Sequence, residues 1–331
     1  MYNRRVSTLK VGLVGLGIMG RNHARVLSNL NGVELLGIVD PIKNTELNSE
    51  FNFFELNDLL AKKPDYCVIA APTGFHKDIA IQILDAGVSC LIEKPVSLDL
   101  DSAYEIKKTA DKNSLVVGVG HIERFNSAIK QLRLRLMNGE LGDIYQVCTR
   151  RQGPFPSRIS DVGVVRDLGT HDIDLTMWLT GSKFKSVSAQ TVKRSEREFE
   201  DLASINGRLE NEIIVNMLVN WLSPLKERNL LVTGEKGAFI VDTLSSNLTY
   251  FSNGSFQVTQ SSLSHFVGVS QGDVVSYAFE KPEPLLIEHQ NFRDHLLGKK
   301  SEIVTLEEGI ETVRVSDMVL ESARTGSDIK F

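Results

Sequence analysis

Between residues 9 and 26 the chain reads LKVGLVGLGIMGRNHARV, and this stretch constrains the fold more than any other. Residues 11–14 form an apolar run too short for a helix and bounded by glycines, the pattern of a buried strand. Gly15, Gly17 and Gly20 follow as G-x-G-x-x-G, and a helical apolar period begins immediately after them. The three glycines serve different ends: a tight turn, a close approach of backbone to a pyrophosphate, and close packing of helix on strand. Ile18 and Met19 then stand at the helix start, where backbone amides face an anion. A second strand over 34–39 ends in Asp40, placed about 20 residues past the last glycine to meet ribose hydroxyls. The expected ligand is a dinucleotide, NAD, with NADP as the other candidate.

The 331 residues suffice for two domains. A net charge of −5, with no Lys/Arg-dense patch, argues against a nucleic-acid partner. No run of about 18 apolar residues is present, so no membrane span is expected. The opening MYNRRVSTLK leads straight into a strand and does not read as a secretion signal. Cys67, Cys90 and Cys148 lie in apolar runs, as buried free thiols of a cytoplasmic protein would.

Further along, strands are expected over 66–70, 89–92 and 115–119, alternating with helices over 58–61, 77–86 and 97–112. That alternation is the pattern of a doubly wound parallel sheet, giving an α/β Rossmann domain over residues 1–123. A helix over 127–137 follows. Strands then dominate from 144 to 279, several alternating apolar and polar residues, as in an open antiparallel sheet with one wetted face. Helical periodicity returns over 285–297 and 306–324. Residues 124–331 therefore read as an α+β domain, its last helices candidates to pack back on the first domain.

Ligands of open parallel sheets sit beyond the carboxyl ends of the strands. That rule brings Ala71, Pro72, Thr73 and His76 to the cofactor, though His76 at a helix start also fits a water-facing residue. Glu93-Lys94-Pro95 ends the next strand. Lys94 there is placed either to hydrogen-bond a substrate hydroxyl or to pair with Glu93 at the surface. Farther on, DLGTHDIDLTMWLTG contains Asp167, His171 and Asp174. On a helix Asp167 and His171 share a face. A histidine held by carboxylates can take a proton at neutral pH; a capping Asp beside a solvated His fits the same letters. No third ligand with helpful spacing turns these residues into a metal site.

The combination of VGLVGLGIMGRNHARVL, APTGFH, LIEKPVSL and DLGTHDIDLTMWLTG resembles the Gfo/Idh/MocA oxidoreductases over most of the chain. The Glu-Lys-Pro motif of that family matches Glu93, Lys94 and Pro95, and its D-x-x-x-H-x-x-D segment matches Asp167, His171 and Asp174. The resemblance implies a nicotinamide-binding Rossmann domain, a mainly antiparallel sheet domain over residues 124–331 for substrate binding and oligomerisation, and Lys94 and His171 acting on a sugar or polyol hydroxyl. GHIERFN at 120–126 looks most like the nucleotide-sugar-oxidising members, the UDP-N-acetylglucosamine 3-dehydrogenase-like group.

On this basis His171 is the expected general base, Asp167 its orienting partner, and Lys94 the residue polarising the same hydroxyl. Glu93 joins the cofactor contacts. Arg124 and Asn126 are candidate substrate contacts, with an ion pair to Glu123 or another acid as the other role for Arg124. The substrate expected is a small sugar, polyol or nucleotide sugar, and the assembly a homodimer or homotetramer built through the second domain's sheet. Two other activities fit the same motifs: hydride exchange between two sugars with the cofactor kept bound, and a non-catalytic sensor of cofactor or sugar.

Overall fold

The computed structural model describes residues 8–41, 53–156, 162–254 and 270–331. The chain divides into two compact units. The first holds the described residues up to Phe125, Pro156 and Val162, together with Pro282–Asp317. The second holds Asn126–Phe155, the described residues of 163–281, and Met318–Phe331.

The first unit is built on five strands: β1 (Leu9–Val14), β2 (Val33–Val39), β3 (Tyr66–Ile69), β4 (Ser89–Glu93) and β5 (Val117–Gly120). They are alternately connected through α1 (Ile18–Asn29), α2 (Leu56–Ala61), α3 (His76–Asp85) and α4 (Leu100–Asn113). All pairs are parallel and the order is β2-β1-β3-β4-β5. The chain thus winds outwards both ways from β1, and the switch point lies between β1 and β3. Helix α4 starts three residues later than its apolar period suggests, because Asp99 caps it by accepting from the Ser102 amide at 2.7 Å.

The second unit contains α5 (Ser127–Met137), β6 (Ile144–Pro154), α6 (Thr170–Thr180), and strands β7 (Phe184–Val192), β8 (Leu202–Leu209), β9 (Ile214–Asn220), β10 (Leu222–Gly234), β11 (Gly237–Asp242), β12 (Asn247–Asn253) and β13 (Gln271–Ser276). After α7 (Pro284–Leu296) and α8 (Leu306–Thr325), the short β14 (Ile329–Lys330) completes a nine-stranded sheet. Its order is β13-β12-β11-β10-β6-β9-β8-β7-β14. Only β6–β9 is a parallel pair; the other pairs are antiparallel.

Alternation decides which face is dry. Phe239, Val232, Val147 and Val215 stand in one cross-strand row and are all buried. The row passes through Gly207, where an added Cβ would fall 2.8 Å from the Phe184 ring, and continues to the buried Val187 of β7. The neighbouring row on the opposite face runs Ile240, Leu231, Cys148, Asn216 and Asn206. That face is mixed rather than apolar: Asn216 donates to Asn206 and accepts from Gln146, both at 2.6 Å. Cys148 is accordingly half-buried, whereas Cys67 and Cys90 are fully buried on paired strands β3 and β4.

The partition falls at 125/126, beside the expected break at 123/124, and the first unit also takes in Pro282–Asp317, which carries α7 and the start of α8. Both terminal helices carry apolar residues into the first unit's core. Phe292 of α7 packs with Tyr66, Leu91 and Leu27 on one side of the parallel sheet. Leu306, Ile310 and Val313 of α8 join Ile92, Val119 and Ile106 on the other. Between the helices the Val119 amide donates to the Val304 carbonyl at 3.0 Å, which covers the edge of β5. Among the described residues no helix is long and apolar enough to cross a membrane.

Candidate active site

The glycine loop joins β1 to α1 at the carboxyl edge of the parallel sheet. Gly15 has φ +96°, and a Cβ there would meet Ala70 and Ala71 backbone at 2.6 Å. A Cβ on Gly20 would lie 2.1 Å from the Gly15 carbonyl oxygen, so this glycine lets helix and strand approach. At Gly17 a Cβ would meet nothing within 4 Å. The backbone there faces open space, as a close phosphate approach requires. No side chain caps the N-terminus of α1, and its first turn carries no acid. Its amides are left for an anion. Ile18 is exposed at this end and Met19 half-buried.

Asp40 follows β2 beside the loop, and its Oδ2 accepts the Leu16 amide at 2.6 Å. The carboxylate therefore braces the turn. These features together fit a dinucleotide.

Beyond β3, Ala71 and Pro72 lead into a short 3-10 turn over Thr73–Phe75, with Thr73 buried. His76 opens α3 but does not face water. Its Nδ1 lies 3.0 Å from the Pro95 carbonyl oxygen and its Nε2 2.9 Å from that of Ala71. Burial holds its pKa below the ordinary imidazole value against the opposing pull of those carbonyls. A neutral ring donates from one nitrogen only, so His76 clasps the end of β3 or the Lys94 turn through one N–H, with its other nitrogen against the second carbonyl. Lys94 is half-buried and joined to Pro95 by a cis peptide bond. Glu93, expected among the cofactor contacts, is buried instead. Its Oε1 lies 2.9 Å from His23 Nε2, and its Oε2 accepts the Lys94 amide at 3.1 Å.

In the second unit, Asp167 and His171 lie on one continuous helical segment, but its first turn is not α-helical. Residues Val165–Gly169 form a π turn, closed by the Thr170 amide donating to Val165 O. The Val165 amide is held by Glu200 Oε1 at 3.0 Å. Asp167 is buried within the turn and His171, one residue into α6, is half-buried. Asp174 is buried further along, and Gly181 ends the helix with φ +63°. A π turn inside a helix is frequent at functional sites.

A profile described as an oxidoreductase family with an NAD-binding Rossmann fold matches residues 9–121, and that family's C-terminal α/β domain matches 133–331. The chain belongs to the Gfo/Idh/MocA oxidoreductase family. It is similar to UDP-N-acetylglucosamine 3-dehydrogenase of Acidithiobacillus ferrooxidans, 30% identical over 74% of this chain and 78% of that protein. Glucose-6-phosphate 3-dehydrogenase of Bacillus subtilis is 30% identical over 65% of this chain and 68% of that protein. The solved structure of the A. ferrooxidans enzyme GnnA has a TM-score of 0.82 at 26% identity, covering 96% of this chain and 98% of that one. As a Gfo/Idh/MocA member the chain is an oxidoreductase, and its first domain is the NAD-binding one.

Two residues expected at the substrate are committed within their own units. The Arg124 guanidinium is buried and its Nη1 donates to Glu308 Oε1 at 2.6 Å, an ion pair to an acid other than Glu123. Asn126 is the N-cap of α5. Its Oδ1 accepts the Ala128 amide and its Nδ2 donates to the Thr243 carbonyl, each at 3.0 Å. Sequence reading passed over the buried titratable residues His23, Glu288 and His289, and the buried pair Arg151–Asp172. A histidine on the apolar face of an amphipathic helix was the one local signal for His23. Among the described residues no cluster of three or more His, Cys, Asp or Glu side chains is arranged to hold a metal.

Proposed function

We propose that this family member moves a hydride between a secondary hydroxyl carbon of a sugar, polyol or nucleotide sugar and NAD. The observation carrying the substrate class is the presence of Lys94, Asp167 and His171 in a chain whose relatives are named for sugar dehydrogenation. NAD supplies the hydride acceptor when bound. Gly17 and the amides of Ile18 and Met19 receive its pyrophosphate, and Asp40 accepts from its ribose. His171 takes the hydroxyl proton, with Asp167 fixing its ring, and Lys94 donates a hydrogen bond to the hydroxyl oxygen. A sensor without chemistry has no use for this set.

Purified protein with NAD and a panel of UDP-N-acetylglucosamine, glucose 6-phosphate and inositol provides the test, read at the nicotinamide absorbance. Reduction with one of these is expected. His171→Ala should lower kcat about 10²- to 10⁴-fold with NADH affinity retained. NADH binding without turnover on any sugar would overturn the enzymatic reading. Undiminished turnover by His171→Ala would move the base to Lys94.

The compartment we assign is the reducing cytoplasm, in keeping with two buried thiols, Cys67 and Cys90, on paired strands. The assembly we assign is a homodimer or homotetramer through the outer face of the nine-stranded sheet. Ile240 and Val274 are exposed on that face, on strands β11 and β13. Light scattering returning a monomer at micromolar concentration would contradict this.

A further inference from the structure

Behind the Lys94 turn, inside the first unit, four titratable side chains from three elements are buried together. Glu93 ends β4, His23 lies on α1, and Glu288 and His289 lie on α7. His23 Nε2 is 2.9 Å from Glu93 Oε1, and its Nδ1 is 2.8 Å from His289 Nε2. A carboxylate only accepts, so His23 Nε2–H is the donor to Glu93. Both oxygens of Glu288 lack a hydrogen-bond partner among the described residues.

The two carboxyls are driven apart. Burial pushes Glu93 up, but the His23 hydrogen bond and charge, with the Lys94 charge and amide, outweigh it and hold Glu93 below its ordinary range. Burial raises Glu288 well above that range, and the Glu93 charge adds to it. Burial lowers His289 well below its ordinary value, with the His23 charge in the same direction. The two buried carboxyls are thus pushed in opposite directions, the divergence that marks assigned roles. Nor is the chain an exit for protons: His289 is 0% and Glu288 2% exposed, so it ends in the core.

We propose that His23 and His289 are positioning residues that hold the Glu93 carboxyl behind Lys94 and tie the cofactor-binding helix α1 to that turn. The inference rests on the reading of Lys94 as a substrate contact. His23 lies one helical turn beyond Met19, so displacement at the loop is passed to β4 through one hydrogen bond. Helix α7 secures the bond from behind. Other ionisable groups face this cluster. His76 of α3 feels the Glu93 charge. His121, Glu123 and Arg124 occupy the turn after β5 that packs on α7, with Arg124 paired to Glu308 of α8.

The test uses full-length His23→Leu, His23→Gln and His289→Leu. His23→Leu removes the donor, so Glu93 titrates at higher pH. The acid-side loss of kcat should move upward in pH, with kcat at neutral pH falling up to about 10²-fold and KM for NAD rising. His23→Gln keeps an N–H for Glu93 and should retain more of kcat without the displaced acid limb. His289→Leu should fall between them. A pH profile of His23→Leu superimposable on wild type, or equal losses in the Leu and Gln variants, would overturn the inference.

Wild-type apoprotein gives a check independent of activity and of any variant that fails to fold. Long-range 15N–1H spectra should show His23 protonated at Nε2 throughout about pH 5 to 8. An unprotonated Nε2 in that range overturns the proposal. Lys94→Ala separates the two readings: full turnover would remove the role of Lys94, whereas the His23 spectrum alone decides whether Glu93 is held.

Discussion

Arg151 Nε donates to Asp172 Oδ1 at 2.9 Å with both side chains buried in the second unit. The pair bolts β6 to α6 at the residue next to His171. Breaking a buried pair by removing one partner strands a charge, at a cost of about 3–5 kcal/mol. Arg151→Met should therefore destabilise the chain strongly in urea unfolding. Adding Asp172→Leu should recover most of the loss, because the uncompensated charge is then gone. A single variant within about 0.5 kcal/mol of wild type would show that the pair is not what holds the helix.

Gly17 and Gly20 should fail in opposite ways. An alanine Cβ at Gly20 collides with the Gly15 carbonyl, where only backbone movement gives relief. Gly20→Ala should cost about 1–3 kcal/mol of stability. At Gly17 the added methyl enters open space at φ −64°, an ordinary value. Gly17→Ala should fold normally yet weaken NADH binding about tenfold or more, about 1.4 kcal/mol. NADH titration and thermal unfolding on both variants decide this; unchanged NADH affinity in Gly17→Ala would mean that the pyrophosphate does not approach there.

The first unit was legible because its signals are local: apolar runs of four to six residues, each followed by glycine or proline punctuation. The second sheet was legible from alternation. What escaped depends on distant partners. His23 is separated by 70 residues from Glu93 and by 266 from His289, and no local period names such neighbours. The π turn at Asp167 is held by Glu200, 35 residues from Val165. Asn126 and His76 looked functional for a related reason. Polar residues after a strand sit at the ligand edge by rule, but here backbone groups claim their side chains first.

Asp40 should set the cofactor preference. Its carboxylate repels a 2′-phosphate at close range and accepts from ribose hydroxyls. Because Oδ2 also accepts the Leu16 amide, removing the side chain disturbs the loop as well. Asp40→Asn keeps an oxygen for that amide and loses only the charge. The NAD-over-NADP ratio of kcat/KM should fall about tenfold or more in Asp40→Asn. Asp40→Ala should in addition lose about 1 kcal/mol of stability from the unsatisfied amide. A wild-type preference for NADP would refute the assignment.

Glu288 offers the sharpest pH signature. Burial, reinforced by the charge on Glu93, raises its pKa well above the usual carboxyl range. In the unfolded chain it releases its proton near pH 4.3, about the reference value. Between that pH and its folded pKa the native state holds a proton that the unfolded state lacks, so this group's contribution to stability falls as pH rises. Glu93 acts with the opposite sign, and only on the acid side: its folded pKa is depressed, so its contribution is lost as pH falls through that value. Glu288→Gln removes the first dependence and leaves the second. The variant should match wild type near pH 4 and exceed it by about 1 kcal/mol or more at pH 7. Urea unfolding across pH measures the divergence. Parallel curves for the two proteins would mean that Glu288 is ionised in the native state.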